Sequence, residues 1–114
     1  MKVYGIKNCD TVKKCLSFLE FNNVDYDFID LKKSDLNEDD IKSWESVLGW
    51  NTLINTKSTT WRSLSQDLKD NAQNEFVSII TANKSIMKRP LIVYDNGDIT
   101  VGFNTDIQEK IING

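Results

Sequence analysis

The residues best able to do chemistry in this 114-residue chain are two cysteines, Cys9 and Cys15, and two arginines, Arg62 and Arg89. Cys9 stands in the polar run Lys7-Asn8-Cys9-Asp10-Thr11, at the start of a helical pattern. A thiol at a helix start meets backbone N–H groups that lack intrahelical partners, and the positive end of the helix dipole. Both favour thiolate over thiol, and the thiolate is the nucleophile. Lys7 adds a positive charge and Asp10 opposes it, while the same N–H groups can hold an oxyanion or a thiolate adduct.

Cys15 lies six residues further on, on the apolar face of the same helix. At ~1.5 Å rise per residue the two cysteines stand ~8–10 Å apart along the axis. A disulfide tolerates a Cα separation of only ~7 Å, so Cys15 is assigned to the core. Val12 takes the place where a CxxC motif would have its second cysteine, so there is no dithiol redox motif. Arg62 follows Trp61, and Arg89 immediately precedes Pro90, the only proline. Planar guanidinium groups suit bidentate capture of carboxylate, phosphate or arsenate, although each arginine alone would read as a solvated surface charge. X-Pro bonds can be cis, and a cis bond here would turn Arg89 toward its neighbours. The chain has no histidine. That excludes His-based acid–base catalysis, Cys-His dyads and most zinc sites, and no metal is expected.

The elements that must position these residues are legible as patterns. Lys2–Tyr4 reads as a short strand and Gly5–Asp10 as a loop. Val12, Cys15, Leu16 and Leu19 then recur at helical spacing, with Asp10 or Thr11 as N-cap and Asn22-Asn23 as the stop. Val24, Tyr26, Phe28 and Ile29 read as a second strand, which completes a βαβ unit with parallel strands. Leu91–Tyr94, the hairpin signal Asn96-Gly97, and Ile99–Val101 follow near the C-terminus. Asp106–Ile112 closes the chain as a helix with Ile107, Ile111 and Ile112 inward. A βαβ half followed by a ββα half is the thioredoxin arrangement, and other topologies share that element string.

Between the halves, residues 37–87 read as a helical insertion. Asn37 caps a helix carrying Ile41, Trp44, Val47 and Leu48 inward, stopped at Gly49. Trp50–Thr60 reads as a polar loop, and Trp61–Leu68 and Ala72–Asn83 as further helices. Trp44, Trp50 and Phe76 are assigned to the core. The length suits one domain, 1–114.

The formal net charge of −3 argues against direct nucleic-acid binding. No signal-peptide pattern or membrane-length apolar run is present. The expectation is therefore a cytoplasmic protein with two free thiols and no membrane association.

Three ordered stretches carry a resemblance. They are Tyr4-Gly5-Ile6-Lys7-Asn8-Cys9-Asp10-Thr11-Val12-Lys13-Lys14, Asn55-Thr56-Lys57-Ser58-Thr59-Thr60-Trp61-Arg62, and Ile86-Met87-Lys88-Arg89-Pro90-Leu91. Together they resemble the bacterial ArsC/Spx (arsenate-reductase-related) family, and within it the YffB-like branch. The resemblance implies an α/β, thioredoxin-like fold with a helical insertion. It also implies that Cys9 is the nucleophile, that Arg62 and Arg89 hold an oxyanion, and that Pro90 is a cis-proline facing the thiol.

In arsenate reductases the cysteine attacks arsenate, glutathione attacks the adduct, and glutaredoxin completes the reduction. This chain departs from them at two places. Gly5 stands near the place of an expected upstream histidine, and Asn104 near that of a third arginine. The departures shift the expectation to a monomeric, glutathione-dependent thiol oxidoreductase with no bound cofactor. Lys7, Asn8, Thr11, Arg62, Arg89 and Pro90 would bind glutathione or a small oxyanion or oxidised-thiol substrate, and glutaredoxin is a further partner. The rival expectation is an Spx-like regulator that binds the α-subunit of RNA polymerase.

Overall fold

In a computed structural model describing Met1–Gly114, the elements run β1 (Lys2–Gly5), α1 (Asp10–Phe21), β2 (Asp27–Asp30), α2 (Glu38–Leu48), α3 (Trp50–Leu53), α4 (Thr59–Arg62), α5 (Gln66–Asp70), α6 (Ala72–Ala82), β3 (Leu91–Val93), β4 (Ile99–Val101) and α7 (Thr105–Asn113). They fall into two compact units, Met1–Asp30 with Arg89–Gly114, and Leu31–Lys88.

The first unit holds a four-stranded sheet in the order β2-β1-β3-β4. β1 pairs parallel to β2, with Lys2 opposite Asp27 and Gly5 opposite Asp30. It pairs antiparallel to β3, which pairs antiparallel to β4. This is the βαβ plus ββα arrangement expected of a thioredoxin-like fold. Asn96 and Gly97 make the hairpin turn, with Gly97 at φ 92° and the Asn96 side chain accepting from the Asp98 N–H at 2.9 Å. Val3, Cys15, Leu19, Ile92, Tyr94, Ile107 and Ile111 form the core under the sheet. Full burial of each aliphatic side chain there contributes roughly 1.5–3 kcal/mol.

Several boundaries differ from the sequence reading. The N-cap of α1 is Cys9 itself, extended at φ −85° and ψ 124°, rather than Asp10 or Thr11. Its carbonyl already accepts from the Lys13 N–H at 3.0 Å, which draws Asp10 into the first turn. β2 starts at Asp27 because the Val24 N–H is bonded back to the Leu19 carbonyl at 2.9 Å and so belongs to the helix stop. Asn23 lies there in the left-handed region at φ 56°. Ile112, expected inward, is 52 % exposed.

The second unit is helical. Asn37 caps α2 as expected, accepting from the Asp39 N–H at 2.7 Å, and Gly49 ends it at φ 82°. Trp50–Thr60 is not a loop throughout. The Gly49 carbonyl accepts from Thr52 and Leu53 to start α3, whose end buries Leu53 and Ile54. The helix expected over 61–68 is two short ones, because two serines each cap a turn. Ser58 accepts from the Trp61 N–H at 3.1 Å and Ser65 from the Leu68 N–H at 3.3 Å. Trp44 is buried as expected, whereas Val47 faces outward at 60 % exposure. Trp50 and Phe76 are only half-buried, and Trp50 stacks on Trp61 with ring centroids 5.7 Å apart. No helix of the chain is long and apolar enough to cross a membrane.

Candidate active site

Cys9 is half-buried between β1 and α1, its N–H donating to the Ile6 carbonyl at 3.1 Å. That turn places its side chain where a serine or aspartate oxygen would cap a helix. No close side-chain cap bond forms, sulfur being a larger and weaker acceptor than a hydroxyl or carboxylate oxygen. Partial burial pushes the Cys9 thiol up, but other groups more than cancel it. The N–H of Val12, a hydrogen bond from the Arg89 guanidinium, the N–H of Thr11 and the Arg89 charge together leave its pKa below the ordinary thiol value. Thr11 and Val12 are the second and third residues of the helix, whose N–H groups an N-cap side chain reaches.

Arg89 comes to the sulfur from the segment just ahead of β3, and the Arg89-Pro90 bond is cis. The buried Pro90 is held to the sheet through its carbonyl, which accepts from the Gly102 N–H at 2.9 Å. The first unit thus brings together Cys9, Thr11, Arg89 and Pro90. Lys7 and Asn8 sit exposed on the loop that leads into Cys9. Arg62 lies in the second unit, exposed at the end of α4, where its carbonyl accepts from Lys69 Nζ at 3.2 Å. Asn104 is the N-cap of α7, accepting from the Ile107 N–H at 3.0 Å. The Val12 N–H is a contribution that side-chain reading misses, because Val12 itself is a fully buried core residue. The only signal for it is its position three residues after the cap.

Cys15 is the opposite of Cys9. It is a free thiol, fully buried, and burial pushes its pKa up to about 12. In the unfolded chain a thiol gives up its proton near ~8.5. Between those values the unfolded state holds fewer protons, so stability is lost as pH rises. The expected slope from this thiol is up to ~1.4 kcal/mol per pH unit. Tyr94 and Tyr26, both pushed up by burial, act in the same direction. Urea unfolding of the wild type and Cys15→Ala between about pH 8 and 11 should therefore show a shallower loss in the variant. Identical slopes would contradict a buried, protonated Cys15.

The sequence pattern of the ArsC family matches residues 4–111. The chain belongs to the ArsC family. Among its curated relatives, an uncharacterized protein of Haemophilus influenzae is 39% identical over 103 residues, which cover 90% of each chain. The global transcriptional regulator Spx 2 of Bacillus anthracis is 25% identical over 112 residues, 96% of this chain and 85% of the regulator. Among solved structures, a YFFB protein superposes with a TM-score of 0.87 at 31% identity, over 96% of both chains. An arsenate reductase (ArsC) related protein from Brucella melitensis gives 0.75 at 33% identity, over 99% of this chain and 94% of that one. These ArsC-family relatives share the thioredoxin-like fold, and they include both reductase-related proteins and transcriptional regulators.

Proposed function

We propose that this ArsC-family chain is an arsenate-reductase-like thiol oxidoreductase that uses Cys9 as its single nucleophile and glutathione as reductant. The observation that carries the reading is the Cys9 sulfur at the cap of α1, acted on by two backbone N–H groups and the Arg89 guanidinium. On an oxidised thiol R–S–S–R′, the Cys9 thiolate forms a bond to one sulfur and R′–S⁻ leaves with the electron pair. Glutathione thiolate then attacks the mixed disulfide at the R-side sulfur, giving R–S–S–glutathione and regenerating the Cys9 thiolate. Arg89 and the first-turn N–H groups would hold the negative charge that enters and leaves the sulfur, and Lys7, Arg62 or Arg89 would hold the glutathione carboxylates. Arsenate is the less favoured substrate. Asn104, where a third anion-binding arginine is expected, is committed to capping α7, and no histidine stands upstream of Cys9.

The test is the pH dependence of Cys9 alkylation by iodoacetamide, with and without glutathione or arsenate. A midpoint well below the free-thiol ~8.5, together with protection by glutathione, is expected. An ordinary midpoint with no protection would overturn the reading.

Similarity to the Spx regulators supports a second reading, a regulator that binds RNA polymerase. A pull-down against the isolated C-terminal domain of the polymerase α-chain separates the two. Saturable binding that survives Cys9→Ser, in a chain without turnover, would favour the regulator.

A further inference from the structure

Gly5 ends β1, is buried, and pairs with Asp30 in the sheet without a positive φ. Its backbone conformation is therefore open to any residue, and the need for glycine is one of space. A Cβ at this position would stand 2.8 Å from one methyl of Val12, 3.1 Å from the other, and 3.5 Å from the Phe28 ring. Real Cβ atoms do not approach a carbon at 2.8 Å. Val12 could not yield by turning, because a β-branched side chain in a helix is stiff at χ1 and this one is fully buried. The first turn of α1 would have to move instead. That turn carries the N–H groups of Thr11 and Val12 that act on the Cys9 sulfur.

We propose that Gly5 is a positioning residue for the Cys9 sulfur: its bare backbone lets Val12 seat against the end of β1, and that seat aims the first-turn N–H groups at the thiol. The inference rests on the reading of Cys9 as the nucleophile. It adds that the thiol's reactivity is set by how closely helix and strand approach, at a residue that has no side chain of its own to offer the sulfur. Arg89 is the charged side chain acting on the sulfur, and it reaches it from the opposite side of the sequence, ahead of β3. Because β1 also pairs with β3, Tyr4 facing Leu91, a change at Gly5 is separated from any shift of the guanidinium by whether Val12→Ala, which restores space only on the helix side, reverses it.

The experiment is the pH profile of Cys9 alkylation in the full-length protein, in the wild type, Gly5→Ala, Val12→Ala and the double variant. Gly5→Ala should move the midpoint upward and slow alkylation below the wild-type midpoint by roughly three- to tenfold, tenfold corresponding to a midpoint higher by one on the pH scale. Gly5→Ala with Val12→Ala should return the profile toward wild type, because both methyls that the new Cβ would meet are gone. Val12→Ala alone loosens the seat and should raise the midpoint by less, so it decides the matter if Gly5→Ala does not fold. Overpacking that only disturbed the fold would slow alkylation at every pH and lower stability, whereas the proposed role moves the midpoint itself and leaves the rate of the fully ionised thiolate near wild type.

An unmoved midpoint in the folded variants, or a raised one that the double variant does not restore, would overturn the role of Gly5. A low wild-type midpoint would then leave the proposed function standing. An ordinary wild-type midpoint would remove both.

Discussion

Cys9→Ser should abolish glutathione-linked reduction of a small disulfide, by roughly a hundredfold or more, while Cys15→Ala keeps most of it. The serine hydroxyl fills the same cap and accepts the same N–H groups, so the fold should survive and α1 should even be better capped. What disappears is the nucleophile. An alcohol beside Arg89 and two N–H groups stays protonated at neutral pH, and no histidine exists to deprotonate it. Cys15 offers no substitute, since its sulfur is fully buried and held protonated. Its replacement trims the core under the sheet without touching the cap of α1. Turnover with 5,5′-dithiobis(2-nitrobenzoate) or a glutathione mixed disulfide, coupled to glutathione reductase, reads both variants. Equal losses would mean that the two thiols act together and would end the single-thiol mechanism.

Most of the positioning frame was legible because it rests on local rules. Hydrophobic spacing picked out α1, Asn96-Gly97 the hairpin, and the order of strands and helices the βαβ and ββα halves. Cys9 stood out because its neighbours are polar, and Cys15 receded because it falls at the buried helical spacing of Val12 and Leu19. The second unit was harder for a physical reason. Its turns are held by single serine and glycine caps, at Ser58, Ser65 and Gly49, and caps spaced this closely defeat a periodicity that needs two turns to show.

What no pattern could supply was contact over sequence distance. Arg89 lies 80 positions from Cys9 in sequence, yet its guanidinium acts on the sulfur because β3 lies beside β1 in the sheet. Gly5 read as the start of a loop, and its significance appears only when the methyls of Val12 are seen against it.

Arg89→Ala should raise the Cys9 midpoint, and each step of one on the pH scale should cut alkylation below the midpoint by about tenfold. Burial of the sulfur opposes ionisation, and it is offset by the Val12 N–H, the Arg89 hydrogen bond, the Thr11 N–H and the Arg89 charge. Alanine removes two of those four and leaves the burial cost standing. In the wild type the thiolate is fully formed once pH exceeds its lowered pKa, whereas in the variant it forms only at higher pH. The two rates should therefore diverge below the wild-type midpoint and converge only well above the variant's, where both sulfurs are ionised. Convergence separates lost ionisation from lost structure, because a misfolded site would stay slow at every pH. Arg89→Lys keeps a positive charge but not the planar donor fork, so its midpoint should fall between the two. Turnover at saturating disulfide should follow the thiolate fraction, with a further loss if the guanidinium also holds substrate. A midpoint in Arg89→Ala equal to the wild type would leave the helix N–H groups as the sole source of activation and remove Arg89 from the mechanism.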